Sequence, residues 1–224
     1  MDQAKLTRLK SLLMEALTLL GSPTPTPTPT TPSESGPAAT PPLAWGKEIR
    51  RIHGERDGQI FMDRIYWTAW KLTQEQGALF DANWLMACMA FETGRKFSAN
   101  VRNPRSTATG LIQFMEATAK ELGTTTTKLA AMKTIDQINY VYRYFSQKIK
   151  ERGPIRSLED CYMAILWPAG VGKASEYPLF IKGTSSYAVN AGLDKNKDSR
   201  VTKAEAAFKV QEQLVEGMKD VNFG

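Results

Sequence analysis

Histidine is nearly absent from the chain: its 224 residues include one, His53. That scarcity excludes zinc peptidases and amidases, which need more than one imidazole. A cysteine or serine nucleophile would have to take His53 as its base, and the surrounding Ile52-His53-Gly54-Glu55 has no feature of such a site. His53 reads instead as a surface helix residue. Cysteine is scarce as well. Cys88 and Cys161 both fall inside apolar helical patterns, which suits buried free thiols better than a disulfide framework, a bridge between them being the lesser alternative. No apolar run is long enough to cross a membrane, so no transmembrane segment is expected. Nothing alternates at period two over a strand's length, so no strands are expected. No basic stripe is interleaved with aromatics, which argues against nucleic acid as the partner.

What is present suits one well-filled domain with appendages: 42% hydrophobic residues, 23% charged, a net charge of +6 and an isoelectric point near 9.3. The basic balance fits an anionic partner such as a cell wall without choosing one. From residue 1 to 20, Leu6, Leu9, Leu13, Ala16 and Leu20 form one stripe along a short helix. We read it as a docking or self-association helix rather than a secretion signal, because Asp2 and Glu15 interrupt the signal pattern and no clear cleavage site follows. Residues 21–42 hold eight of the twelve prolines and form a stiff Pro/Thr-rich linker. The domain over 43–224 is expected to be all-α, mainly helical. Helices are predicted over 44–53, 60–76, 82–94, 114–122, 126–132, 136–150, 158–167 and 203–218. Asp81 and Ser157-x-x-Asp160 are start signals, and Gly123 is a stop.

One acid is set apart. Glu92 closes the apolar run Trp84 to Phe91, so its carboxyl should emerge from a largely buried helix and hold its proton more tightly than it would in water. Cleaving a glycosidic bond needs such a raised-pKa acid. The loop that follows, Ser106 to Gln113, is built of small residues with Gly110 among them, which allows a ligand to approach the backbone closely.

In these residues the chain resembles the lytic transglycosylase family with the goose-type lysozyme-like fold, of the phage endolysin or virion-associated type. The family's catalytic Glu-Ser, Ser-rich loop, Gly-Leu-Met-Gln, Met-Pro and Thr-Ala correspond, in order, to Glu92-Thr93, Ser106 with Ala108, Gly110-Leu111-Ile112-Gln113, Met115-Glu116 and Thr118-Ala119. A later motif is echoed loosely by Gln137-Ile138, Val141 and Tyr144-Phe145. The family's Ala-Tyr-Asn-Ala-Gly is replaced by Leu166-Trp167-Pro168-Ala169-Gly170. The resemblance runs from about Phe61 to Lys173. It implies Glu92 as the catalytic acid on peptidoglycan, with Ser106, Gln113, Tyr144 and Trp167 holding sugar. It requires no catalytic cofactor, and it places the activity in the bacterial periplasm or cell wall, of a phage protein released at lysis or carried on the particle. Trp167 stands where the family has a tyrosine, and an indole can donate but not accept a hydrogen bond.

Two rival readings accompany it. A hydrolytic muramidase would call for a second carboxylate; Glu116 and Asp136 are the nearest, and both read as helix-start residues. A non-catalytic wall-binding component of a phage particle would explain the altered Trp167 turn. Separately, residues 194–205 fit a twelve-position, EF-hand-like calcium loop. Asp194, Asn196, Asp198 and Glu205 stand at positions one, three, five and twelve, with Arg200 and Thr202 at seven and nine. Ser199 takes the usual glycine position, and Thr202-x-x-Glu205 also reads as a helix capping box. A structural calcium ion is the expectation.

Overall fold

A computed structural model describes residues 41–224. The docking helix over 1–20 and the linker up to residue 40 lie outside the described residues. Helix α1 (Gly46–His53) turns at Gly54 into the long α2 (Glu55–Gln76). The predicted start of α2 at 60 is too late, because Gly54, at φ 79, is the break and Glu55 and Asp57 supply an acidic first turn. Helix α3 (Ala82–Glu92) starts where expected, the Asp81 carboxylate accepting from the Asn83 N–H, and ends before Gly94. Short helices α4 (Glu116–Glu121) and α5 (Thr126–Ala131) lead into α6 (Thr134–Arg152) and α7 (Leu158–Leu166), the last capped by Ser157.

The mainly helical expectation holds, and the absence of strands does not. Strands β1 (Pro178–Ile181) and β2 (Arg200–Thr202) form an antiparallel pair with Phe180 opposite Val201. Each sends only that one side chain to the core, which is too little alternation to register in a sequence. A further short helix, α8 (Ser185–Asn190), lies between them, and α9 (Lys203–Gly217) completes the fold behind the Thr202–Glu205 capping box.

The core is built around α3. Leu85 through Ala90 are all buried, because α2, α7 and α9 each pack against this helix. A helix apolar on every side belongs at a domain centre, and its exit is where a polar residue can first meet solvent. No helix of the described residues is long and apolar enough to cross a membrane.

Candidate functional site

Glu92 is the last residue of α3 and keeps only a partial opening to solvent. Its carboxyl makes no hydrogen bond or ion pair with any described residue, and burial alone pushes its pKa up to about 7. The next residue serves the fold rather than a ligand. Thr93 Oγ1 donates to the Met89 carbonyl at 2.6 Å and accepts from the Phe97 N–H at 3.0 Å, which ends the helix and turns the chain. Gly94, Arg95 and Phe97 all take positive φ in that turn. His53 braces it from α1: Nε2 lies 3.0 Å from the Phe97 carbonyl and the imidazole stacks on Phe61. The histidine expected at the surface is therefore half-buried, because the turn offers its ring both a flat partner and a carbonyl.

The loop from Ser98 to Met115 is pinned at its centre. Thr109 bridges to Arg102 on one side and to Phe114 on the other. Gly110 sits at φ 84, and a Cβ there would fall 2.2 Å from Gln137 Oε1. Gln137 is fully buried on α6; its Oε1 accepts from the Leu111 N–H at 2.7 Å, while Nε2 donates to the Ala99 and Leu129 carbonyls. Gln113 spends its amide N–H on the Gly110 and Val101 carbonyls, so only its oxygen is left for a ligand. Ser106 is exposed at the loop's far end, its hydroxyl accepting from the Ala108 N–H. Glu116 Oε2 accepts from the backbone and hydroxyl of Thr126, and that hydroxyl holds its pKa below the usual range. Asp136, in the first turn of α6, lies 4.0 Å from Arg64.

Tyr144, on α6, is tied to the loop and to α7: its ring meets Phe114 edge-on, and its hydroxyl donates to the Ala164 carbonyl at 2.5 Å. Burial, and after it the charges of Glu151, Glu121 and Glu92, raises its pKa. That hydroxyl is already committed as a donor, so toward a sugar it can only accept. Trp167 follows α7, 40% exposed, with its edge on Phe180 at 5.2 Å. The turn after it is locked from below: Asp160 Oδ1 accepts from the Gly172 N–H at 2.8 Å and from Lys203 Nζ at 2.5 Å, and Lys203 also donates to the Lys173 carbonyl. The Phe114 ring thus ties the end of the loop to Tyr144, and no hydrogen bond, ion pair or ring contact among the described residues joins Glu92 to Tyr144, Gln113 or Ser106. Motif reading gives Gln137 only as a loose echo and Asp160 only as part of a capping box, and misses the buried bonds that both make. Each sits near the start of its helix, as Lys203 does.

The loop over 194–205 lies apart, between α8 and α9. Asp194 Oδ2 accepts from the Ser199 N–H and the Tyr187 hydroxyl, Asn196 Oδ1 from the Asp198 N–H, and Asp198 Oδ1 from the Arg200 N–H. Ser199 adopts φ 73, the conformation a glycine would take there. Glu205 folds back on the Lys195, Asn196 and Thr202 N–H groups. Among the described residues no three acidic, histidine or cysteine side chains converge as a metal-holding group. Asp194 Oδ1 is nonetheless buried with no partner, an oxygen that a cation would satisfy. No protein-family model and no curated protein sequence matches the chain.

Proposed function

We propose that the protein is a lytic transglycosylase that cleaves peptidoglycan, with Glu92 as its single essential carboxyl. The observation that carries the reading is the state of that group: a carboxyl at the exit of a buried helix, without an internal partner, whose proton is held up to about pH 7. The protonated acid gives its proton to the oxygen joining muramic acid to the next sugar as the bond to C1 breaks. The carboxylate so formed then takes the proton of the muramyl 6-hydroxyl, whose oxygen bonds to C1 and closes an anhydro ring. No water enters, and the acid returns to its starting form. Tyr144 and the Gln113 oxygen accept hydrogen bonds from sugar, and Trp167 offers its exposed ring and indole N–H. The ordered resemblance from Glu92 to Ala119 supports the substrate class. The site of action would be the periplasm or cell wall, and a phage origin fits the combination of one catalytic domain with a spacer.

Hydrolysis is the weaker reading. Glu116 is taken up by Thr126, and Asp136 lies beside Arg64 at a helix start, so neither is free to activate water. Incubating purified peptidoglycan with the protein and with Glu92→Gln, followed by mass analysis, separates the outcomes. Anhydro-muramyl ends that disappear in the variant are expected; reducing ends would replace this reading with a muramidase. Equal turnover by both proteins would remove Glu92 from the chemistry, and pelleting with the wall without soluble product would make the protein a wall-binding component. Activity should decline as pH rises through about 7, where the acid loses its proton.

We also propose that residues 194–205 hold a structural divalent cation of the calcium class, with Asp194 Oδ1 as the anchoring oxygen. Asn196, Asp198, the Arg200 carbonyl, Thr202 and Glu205 would supply the remaining oxygens.

A further inference from the structure

Cysteine occurs twice in 224 residues, and the fold brings the two to one point. Cys88 lies on α3 and Cys161 on α7, 73 positions apart, and their Sγ atoms approach to 3.8 Å. Both are free thiols, as expected from the sequence, and neither has any exposed surface. A small apolar side chain would fill either position equally well, so packing alone gives no reason for two sulfurs to meet. The helices that carry them pack directly on one another, and the Phe91 ring, which meets the Tyr162 ring edge-on at 5.6 Å, is a second contact holding the same pair of helices together. A disulfide brings its sulfurs to about 2 Å. Bonding therefore asks the two atoms to close by roughly 2 Å, which rotation about their Cα–Cβ bonds can supply.

We infer that Cys88 and Cys161 form a disulfide that clasps α3 to α7 when the chain folds in an oxidising compartment, and stay a dithiol when it folds in a reducing one. The inference is independent of the transglycosylase reading. The oxidant is a disulfide, either a small molecule or a protein. One cysteine attacks it as the thiolate, which forms a mixed disulfide and releases one thiol. The other thiolate attacks the protein-side sulfur of that bond, the bond between Cys88 Sγ and Cys161 Sγ forms, and the second thiol leaves. Two electrons and two protons pass from the cysteines to the oxidant, which ends as two thiols. In the finished fold this exchange is blocked: both sulfurs are sealed from any reagent, and burial raises the Cys88 pKa, which keeps that thiol protonated. The pair thus records the surroundings in which α3 and α7 came together. Once made, the bond is shielded from reductant by the same burial. Glu92 lies one turn beyond Cys88, so the helix clasped is the one that carries the acid.

Refolding the full chain from denaturant tests this, in one arm with a mixture of oxidised and reduced glutathione and in the other with dithiothreitol. Each product is then alkylated in denaturant and weighed intact. The first arm should give a monomer lighter by two hydrogens that takes up no alkyl group, and the second a monomer that takes up two. The disulfide form should unfold about 5–15 °C above the dithiol form, because the bond closes a long loop of the unfolded chain. Cys161→Ala and Cys88→Ala are the controls; each keeps one thiol and should unfold at the same temperature in both arms. A natively folded chain from the first arm with two alkylated thiols overturns the inference, as does a bridge formed only between chains or a disulfide form that unfolds no higher than the dithiol. A temperature difference that persists in both variants overturns it as well, since the shift then comes from the buffer. None of these results touches the Glu92→Gln comparison, so failure here leaves the transglycosylase reading to its own test.

Discussion

Two carboxylates are held within the helical core, and the fold treats them in opposite ways. Asp160 on α7 receives the Lys203 ammonium at 2.5 Å, the Gly172 N–H at 2.8 Å and the Arg156 N–H at 3.2 Å. Glu92 on α3, the helix that packs beside α7, receives nothing from the described residues. The fold has donors to place and places them on one acid only. An acid surrounded by donors is a structural joint; here it ties α7, the turn after Trp167 and the start of α9 into one unit. An acid left bare, with burial disfavouring its charged form, is stored in the protonated state that proton donation requires.

Experiments can break this contrast in order of expected effect. Glu92→Gln should lower peptidoglycan turnover by about 1,000-fold while leaving the fold intact. The raised pKa adds a stability signature. The folded protein holds this proton better than the unfolded chain, so the contribution is present below the ordinary carboxylate range and is lost as pH rises through about 7. Thermal unfolding at pH 5 and pH 8 should therefore show the variant gaining on the wild type at the higher pH. Identical behaviour at both would mean that Glu92 titrates as if exposed.

Lys203→Met should do the reverse, costing roughly 3–5 kcal/mol in denaturant unfolding because it leaves Asp160 buried and unpaired. Pairing it with Asp160→Leu should recover most of that loss; failure to recover would mean that the ion pair is not what locks the turn. Gly110→Ala comes next. It forces an L-residue to φ 84 and drives a methyl into the Gln137 amide, with an expected loss of about 1–3 kcal/mol and a larger fall in activity than in stability. Calcium at a few times its Kd should add only about 1 kcal/mol, read as a higher unfolding temperature than in chelator and abolished by Asp194→Ala. No difference between ion and chelator removes the proposed site.

The sequence made local features plain. Asp81, Ser157 and the Thr202–Glu205 box act within three residues of themselves, and all three cap helices as read. The apolar run ending at Glu92 needs nothing beyond its own helix to be recognised. The Ser157 box is half right: the serine accepts from the Asp160 N–H, but Asp160 turns to Arg156, Gly172 and Lys203 rather than back to the cap. That diversion depends on a lysine 43 positions away, which no local pattern encodes. Gln137 was hidden in the same way, since its partners Leu111, Ala99 and Leu129 come from three separate segments.

The described chain meets itself where it enters and leaves. Leu43 and Gly224 exchange both backbone hydrogen bonds at 3.2 Å, and Lys47 adds a bond to the Asn222 carbonyl. In topological terms the path is already a loop closed by non-covalent links, so a short covalent bridge between residues 224 and 43 would cost little closure entropy. New ends could then be opened at an exposed position such as Ser106. Such a permuted chain would keep the α3–α7 packing and Glu92 untouched while moving the chain ends to the exposed part of the Ser98–Met115 loop.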